Sequence, residues 1–444
     1  MLSKGFILDY SKCVGCHACI VACHNENKTN PFLSWRQINS FNAKKVPLAG
    51  FINLSIACNH CNDAPCLKAC PAKAYERDNQ TGAVIHSSEK CIGCRYCTWA
   101  CPFDAPKYNK EKGVVEKCHL CNHLISNDLN PACANQCPTG ALRFGTIESI
   151  ASIEQFGIPK TNFEPRLKIV NSEIAYSKLL IDSNLYKEKQ LYTSKNLIKE
   201  KVNAIEEWPL ALFTFIFSFL TGWFTSFWTV PDRIQQIVFL LLGFFGILLS
   251  TIHLGKPFRA YRSIVNIKTS WLSREIFFCG IFLSFSLTYL FIFKSTLFFI
   301  TTLLIGYLFL LTIEMVYSVS KRKTKLPIHS SNMFLTSLLF CFYFNDFKKL
   351  LVIVIVLKAL LYIYQKNEPD SSNIFRVLGS FIRVIIGLIF SLGIVFFSDP
   401  INNGVLLIAL IVGELIDRFE FYGDISIDTP SRVLINTFNQ ILKQ

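Results

Sequence analysis

The sequence CIGCRYCTWACP, residues 91–102, decides how the first third of the chain folds. It places Cys91, Cys94, Cys97 and Cys101 in the spacing C-x2-C-x2-C-x3-C-P, which is typical of iron–sulfur binding. Three thiolates a few residues apart wrap one loop around three iron corners of a cube. The fourth cysteine begins a helical stretch that points away, so we expect it to bind the other cluster of a pair.

Three further groups of four cysteines lie on either side of this stretch. They are Cys13, Cys16, Cys19 and Cys23; Cys58, Cys61, Cys66 and Cys70; and Cys118, Cys121, Cys133 and Cys137. Sixteen thiolates predict four [4Fe–4S] clusters. Structural zinc is the main alternative, although zinc favours two well-separated cysteine pairs. Disulfides are disfavoured, because the pairs are closely spaced and the N-terminal MLSKGFILDYSKC lacks the apolar run of a secretory signal.

The composition divides the chain into a cysteine-rich front and an apolar back. Sixteen of the 18 cysteines lie before residue 138, whereas most of the 40 phenylalanines lie after residue 207. The net charge of +14 is compatible with nucleic-acid binding, but the sequence contains no motif that reads a nucleic-acid groove. Basic loops between apolar spans explain the charge better, so we predict no nucleic-acid partner.

The front, residues 1–147, is predicted to be an α+β ferredoxin-like domain of two double-cluster units. GFILDYSKC and TGAVIHSSEKC each predict a strand that leads into a cluster loop. Residues 148–207 are polar and are predicted to be a connector. Residues 208–444 are predicted to be an all-α polytopic membrane domain.

Eight apolar stretches in the back predict eight transmembrane helices. They are residues 208–230, 234–254, 274–293, 296–318, 328–345, 350–365, 374–398 and 402–422, and most meet the length of about 20 residues that a crossing needs. The loops on the side of the iron–sulfur domain are the more basic ones. The positive-inside rule therefore predicts that this domain faces the cytoplasm at a bacterial cytoplasmic membrane. A docking or ligand-binding role for the basic loops is the alternative, and it leaves the periplasmic side open.

Ionisable residues in the predicted spans are candidates for function, because charge is costly in a bilayer. His253 ends the second span, Glu275 opens the third and Glu314 lies in the fourth. A histidine and a carboxylate suit the two protons that quinol oxidation releases. Arg259 is expected either to orient a quinone carbonyl or to pair with Glu275. The alternative is that His253 and Glu275 simply lie in the wet headgroup region. Lys358 and Arg383 are predicted to be structural or snorkelling groups.

Two parts of the sequence resemble subunits of dimethyl sulfoxide reductase-type molybdoenzymes. CIGCRYCTWACPFDAPKYN, KCHLC and CPTGAL resemble the four-cluster electron-transfer subunit, whereas HLGKPFRAYRSI and SWLSREI resemble the eight-helix membrane anchor. The family usually makes these as two polypeptides, so a fusion is a departure. The resemblance implies menaquinol binding at His253 and Glu275 and a separate molybdopterin-containing catalytic subunit.

The resemblance also implies how the thiols share clusters. By the family pattern, one cluster is held by Cys13, Cys16, Cys19 and Cys137; one by Cys118, Cys121, Cys133 and Cys23; one by Cys58, Cys61, Cys66 and Cys101; and one by Cys91, Cys94, Cys97 and Cys70. Some relatives have a tryptophan in the third group and a three-iron cluster. Cys94 is present in this chain, so four four-iron clusters are expected.

The leading hypothesis is a subunit that oxidises menaquinol from the membrane pool and passes the electrons to a reductase of S-oxides or N-oxides. Two alternatives remain. In the first, electrons flow the other way and quinone is reduced. In the second, the chain is a membrane anchor without a quinone site.

Overall fold

The computed structural model describes residues 2–30, 32–41, 52–148, 162–170, 204–229, 231–318, 321–322, 328–366, 374–395, 400–427 and 429–433, with Pro159 and Val202 as single residues. Contacts divide the chain into two compact units. The front unit is Met1–Lys201 with Ile427–Gln444, and the back unit is Val202–Ser426.

The front unit consists of short strands and short helices. In chain order they are β1 (Leu2–Asp9), α1 (Ala18–Asn27), β2 (Gln37–Phe41), β3 (Ile52–Ile56), α2 (Pro65–Ala69), β4 (Tyr75–Arg77), β5 (Val84–His86), α3 (Tyr96–Ala100), β6 (Lys107–Asn109), β7 (Val114–Glu116), α4 (Asn122–Ile125), α5 (Ala132–Asn135), β8 (Leu142–Glu148) and β9 (Leu167–Val170). The pairs β2–β3, β4–β5 and β6–β7 form antiparallel two-stranded sheets.

β1 is the central strand of the front unit's three-stranded sheet. It runs antiparallel to β8 and parallel to β9. Phe6 and Leu8 alternate along β1 towards the core, where both are buried. β9 lies inside the predicted connector, and its buried Leu167 and Ile169 alternate with exposed residues. The front unit therefore extends beyond residue 147. Most of the connector, residues 148–207, lies outside the described residues.

The cysteine loops have the backbone geometry that a tight C-x-G-C turn needs. Gly15 and Gly93 have φ angles of 69° and 74°, which glycine adopts without strain. Each of these loops leads into a helix. α1 carries Cys19 and Cys23, whereas α3 carries Cys97 and is followed directly by Cys101. The first two thiols of each group therefore come from the loop, the third from the first turn of the helix, and the fourth from four residues further along the chain.

The back unit is helical. Its elements are α6 (Trp208–Phe224), continued by a 3-10 turn Thr225–Trp228; α7 (Arg233–Ile252); a 3-10 segment Pro257–Ile264; α8 (Trp271–Phe291); α9 (Thr296–Tyr317); β10 (Lys321–Arg322); α10 (Met333–Phe344); α11 (Lys348–Lys366); α12 (Ile374–Ile382), continued by the π-helical Arg383–Phe390; α13 (Ser391–Ile394); α14 (Pro400–Asp424); and β11 (Ile425–Ser426). Side chains of Asp232, Ser270, Ser295 and Asn332 cap four of these helices by accepting backbone N–H bonds.

Four helical stretches in the described part are long and apolar enough to cross a membrane. They are Trp208–Trp228, Arg233–Ile252, Trp271–Phe291 and Thr296–Tyr317. Each of the eight predicted stretches overlaps a helix among the described residues. α10 has only 12 residues and is therefore about 18 Å long, well short of a hydrocarbon core of about 30 Å. A membrane domain with several apolar helices is thus found, and the number of crossings stays a prediction.

Candidate iron–sulfur and membrane sites

The structure brings the sixteen front-unit thiols together in mixed sets. Cys13 has Cys16, Cys19 and Cys137 as electrostatic neighbours, and Cys23 has Cys121 and Cys133. Cys61 neighbours Cys58, Cys66 and Cys101, whereas Cys97 neighbours Cys91, Cys94 and Cys70. In each set the distant cysteine is the fourth member of another group. These neighbours include the partners that the family pattern implies, although Cys19 also neighbours Cys133 and Cys118 also neighbours Cys58. The assignment of cysteines to clusters stays a prediction.

Backbone amides point at several of the sulfur atoms. The N–H groups of Leu142, Ala74 and Leu120 donate to the Sγ atoms of Cys137, Cys70 and Cys118, each at 3.3 Å. Asn27 Nδ2 lies 3.7 Å from the Sγ atoms of both Cys23 and Cys121. Such N–H···S contacts stabilise the negative charge that a bound cluster brings, and they are one of the means by which a protein sets cluster potential.

Burial keeps most of these thiols protonated when no metal is bound. It raises the pKa of Cys23 to about 12 and that of Cys70 to about 11, and it raises the pKa of Cys118 well above its usual value. At Cys137 burial also acts to raise the pKa, but hydrogen bonds from Leu142 and Thr139 outweigh it and the pKa is lowered. Metal binding therefore has to displace protons from nearly every set.

The described residues form no ready site for a single metal ion. Across the part of the chain that the structure describes, no three thiol, imidazole or carboxylate groups converge closely enough to hold one metal ion. The corners of an iron–sulfur cube are held by thiolates that stand apart. The zinc alternative, which needs four donors around one point, has no formed site among those residues.

Arg36 places one buried positive charge between two thiol sets. Its side chain is 2% exposed, its Nη1 donates to Ser55 Oγ at 3.1 Å, and its guanidinium lies 4.6 Å from the ring centre of Phe6. Burial acts to lower its pKa, but Cys133, Cys19, Cys118 and Cys23 outweigh that effect and raise it. Its Nε and Nη2 have no hydrogen-bond partner among the described residues. Both atoms are thus available as donors to cluster sulfur.

The predicted quinol residues lie around the loop between α7 and α8. His253 caps the C-terminus of α7, Arg259 lies in the 3-10 segment, and Glu275 lies near the start of α8. Ser273 Oγ donates to Ser263 O at 2.6 Å and so ties the loop to α8. The structure therefore places these three residues at one end of the helices.

Glu275 is a buried carboxylate, 4% exposed, whose Oε2 has no hydrogen-bond partner among the described residues. Glu314, unlike Glu275 Oε2, has a hydrogen-bond partner. Its Oε1 accepts the Met333 N–H at 2.9 Å at the start of α10. That bond gives Glu314 a capping role, and its membership of a quinol site stays a prediction.

Sequence reasoning missed Arg418, which acts electrostatically on Glu275. Arg418 is 2% exposed, its Nε donates to Thr214 Oγ1 at 2.8 Å, and it lies 5.1 and 5.2 Å from the rings of Tyr317 and Tyr422. The sequence did indicate that charged residues are buried here, because the predicted eighth span contains four of them in the sequence GELIDRFE. Their partners depend on helix packing.

Lys358 and Arg383 were predicted to be structural or snorkelling groups, and the snorkelling alternative is wrong. Both side chains have 0% exposure and pair with carboxylates of α14 in the interior of the back unit. A long side chain snorkels only when its helix faces lipid or water, whereas these two helices face α14.

Comparison with known proteins matches both parts of the chain. The family model of the 4Fe-4S dicluster domain matches residues 51–147, and that of the DMSO reductase anchor subunit (DmsC) matches residues 203–345.

Individual relatives match the front of the chain. The probable anaerobic dimethyl sulfoxide reductase chain YnfG of Escherichia coli K12 is 39% identical over 154 residues, which are 33% of this chain and 75% of the relative. A putative dimethyl sulfoxide reductase iron-sulfur subunit of Halobacterium salinarum is 32% identical over 179 residues, 33% of this chain and 68% of the relative. The formate dehydrogenase-O iron-sulfur subunit of E. coli K12 is 37% identical over 163 residues, which are 33% of this chain and 54% of that subunit.

Proposed function

The chain belongs to the family of iron–sulfur subunits of anaerobic dimethyl sulfoxide reductases, here joined to a membrane-anchor domain, and from that premise we propose that it oxidises menaquinol and carries the electrons to a separate catalytic subunit. That subunit would hold a molybdopterin and reduce an S-oxide or N-oxide. The observation that carries the proposal is Glu275, a buried carboxylate whose Oε2 has no hydrogen-bond partner among the described residues, in a chain whose front unit also holds sixteen free cysteines.

The four thiol sets would hold four [4Fe–4S] clusters, which supply one-electron storage when bound. The chain's own residues bind these groups and shape their charge. Amide N–H groups and the Arg36 guanidinium favour the reduced, more negative form, and the apolar surroundings keep water from the sulfur atoms. The sharing of cysteines between groups places neighbouring sets close together, which suits stepwise electron transfer.

At the membrane end, Glu275 would take one quinol proton and His253 the other. A buried carboxylate has few water molecules to compete with the substrate hydroxyl, and imidazole accepts protons near neutral pH. Arg418 is an electrostatic partner of Glu275. Arg259 would orient the quinone oxygen.

We further propose that eight helices anchor the chain in the bacterial cytoplasmic membrane, with the front unit on the cytoplasmic side. Support for this orientation comes from the basic loops on that side of the predicted topology.

The opposite direction of electron flow, from the partner to quinone, is favoured by one observation. This observation is the similarity to an iron–sulfur subunit of a formate dehydrogenase. In that case the partner would oxidise its substrate and the same membrane site would reduce quinone. Supplying each half-reaction separately to the purified complex distinguishes the two directions.

The test of the proposed function is Glu275→Gln. The variant keeps the shape of the side chain but cannot accept a proton, so we expect menaquinol-dependent cluster reduction to slow by about 10²–10⁴-fold. Stopped-flow absorbance after addition of a menaquinol analogue measures it, and dithionite reduction followed by EPR confirms assembly.

The matched control is Glu111→Gln, an exposed residue of the front unit. Unchanged quinol-dependent reduction in Glu275→Gln would reject the quinol site and leave the anchor hypothesis.

A further inference from the structure

A buried tyrosine hydroxyl lies among the thiols of the front unit. Tyr75 is the first residue of β4, and its side chain is buried, with 6% exposure. Its Oη is shielded from solvent and has no hydrogen-bond partner of regular geometry among the described residues. Leaving a buried hydroxyl without a partner costs stability, and buried tyrosine hydroxyls usually find one. An acceptor for Tyr75 is therefore expected in the assembled protein.

The nearest candidates for this acceptor are sulfur atoms. Burial raises the pKa of Tyr75 well above its usual value, and the thiols of Cys97 and Cys66 raise it further, so both lie close to the phenol. Burial and the neighbouring Cys94 raise the pKa of Cys97, whereas a hydrogen bond from Tyr75 acts to lower it. Only donation from the hydroxyl to sulfur stabilises a thiolate, so Tyr75 is the donor and Cys97 Sγ the acceptor within its reach.

Contacts on both sides of Tyr75 hold its ring beside these thiols. The N–H group of the preceding Ala74 donates to Cys70 Sγ at 3.3 Å, so β4 begins directly at a thiol. β4 pairs with β5 in a register that sets Tyr75 opposite His86, and the two ring centres lie 4.8 Å apart. Neither the Tyr75 hydroxyl nor His86 Nε2 has a hydrogen-bond partner among the described residues, so the two do not bond to each other.

A buried lysine makes the phenol a better donor. Lys117 is 3% exposed, and its Nζ donates to the backbone oxygens of Val84 and Cys118. The same Nζ lies 5.9 Å from the centre of the Tyr75 ring. A nearby positive charge favours the loss of a proton from a phenol, and it therefore strengthens the hydrogen bond that the hydroxyl donates.

We propose that the Tyr75 hydroxyl donates a hydrogen bond to Cys97 Sγ when this thiolate holds a cluster, and that the bond raises the midpoint potential of that cluster. Hydrogen bonds to cluster sulfur favour the reduced form, because it carries the more negative charge. The inference rests on the iron–sulfur clusters of the proposed function and does not depend on the quinol site. One electron enters the cluster and the hydroxyl keeps its proton in both states, so no proton transfer is involved.

The effect is confined to one of two neighbouring sets. Cys97 has Cys91, Cys94 and Cys70 as neighbours, whereas Cys66 belongs to another set. A hydroxyl has a single proton to donate, so it makes one strong bond to one sulfur atom. The bond therefore creates a difference in potential between adjacent clusters and favours the residence of an electron on the one that Cys97 holds.

The test is Tyr75→Phe in the full chain, because it removes the hydroxyl and keeps the ring. Potentiometric titration with dithionite, followed by EPR, measures the cluster potentials without quinol. For one cluster we expect the ratio of reduced to oxidised form to fall about tenfold at a fixed potential, which is about 59 mV for a one-electron couple. The signal that moves should be the one that Cys94→Trp converts to a three-iron form, because Cys94 is a neighbour of Cys97.

A second measurement detects the hydrogen bond itself. ENDOR spectra of the reduced protein, prepared in H2O and in D2O, should show an exchangeable proton coupled to this cluster, and Tyr75→Phe should lack it. Tyr108→Phe is the matched control, since this half-buried tyrosine of β6 packs its ring 5.4 Å from the guanidinium of Arg95. The control should keep both the proton signal and the potentials.

A ring-fluorinated tyrosine at position 75 covers the case in which Tyr75→Phe does not assemble. It keeps the hydroxyl and makes it a stronger donor, so the same signal should move upwards. Iron and acid-labile sulfide content report assembly. A change below about twofold in assembled Tyr75→Phe, no upward shift in the fluorinated protein where the variant does not assemble, or a proton signal retained in Tyr75→Phe overturns the inference.

The same measurements separate this inference from the proposed function. If the wild-type protein holds no iron–sulfur clusters, the proposed function and the inference fail together. If the clusters are present and the Tyr75 substitutions leave their potentials unchanged, the inference alone is rejected, whatever the Glu275 test shows.

Discussion

Arg36 is expected to set the potentials of two clusters at once. Its guanidinium is fully buried beside thiols of two sets, the one with Cys19 and the one with Cys23, Cys118 and Cys133. Replacing it by methionine keeps most of the volume but removes the charge. Because the reduced cluster is more negative, a nearby positive charge favours reduction, so Arg36→Met should lower both midpoint potentials.

The size of the effect follows from Coulomb's law. With an effective dielectric constant of about 20 and a separation of about 6 Å, one unit charge contributes about 3 kcal/mol. For a one-electron couple this corresponds to about 120 mV. Loss of the two donors Nε and Nη2 acts in the same direction.

Potentiometric titration followed by EPR measures the four potentials separately. Two signals should move downwards by about 100 mV, while the two sets remote from Arg36 move little. Arg143→Met is the control, because this exposed side chain of β8 is screened by water and salt and should shift nothing measurable. A shift below about 30 mV in both expected signals would show that Arg36 does not act on the clusters.

Two further predictions concern the front unit. Cys94→Trp should leave three thiolates, those of Cys91, Cys97 and Cys70, in one set. That cluster should then become a three-iron form with an EPR signal in the oxidised state. If four four-iron signals persist, the ligand assignment is wrong. Burial, with a smaller contribution from Lys117, lowers the pKa of His86 to about 4, below the unfolded value of about 6.5. The unfolded chain therefore binds this proton first, and up to about 3 kcal/mol of stability is lost as pH falls from about 6.5 to about 4. His86→Gln should flatten the dependence of the unfolding temperature on pH over that range, and an unchanged slope would contradict the assignment.

The sequence was a good guide wherever the chemistry is local. The loop from Cys91 to Cys97 is short, and Gly93 permits its turn, so spacing alone predicted three thiols around one centre. The helices of the back unit were likewise predictable, because length and apolar composition decide whether a helix can cross a bilayer. The strand β9 was missed, since four alternating residues in a polar segment give too weak a pattern to predict a strand.

What the sequence by itself determined is therefore the chemistry of this protein, sulfur ligands in front and apolar helices behind. What only the tertiary structure decided is which charges lie near one another. Arg36 lies near two thiol sets, Arg418 acts electrostatically on Glu275, and Lys358 and Arg383 pair with the carboxylates of α14. A local pattern shows that a charge lies in an apolar stretch. The identity of its partner depends on how helices and loops distant in sequence pack, because in a low-dielectric interior each charge must find an opposite charge within a few ångströms.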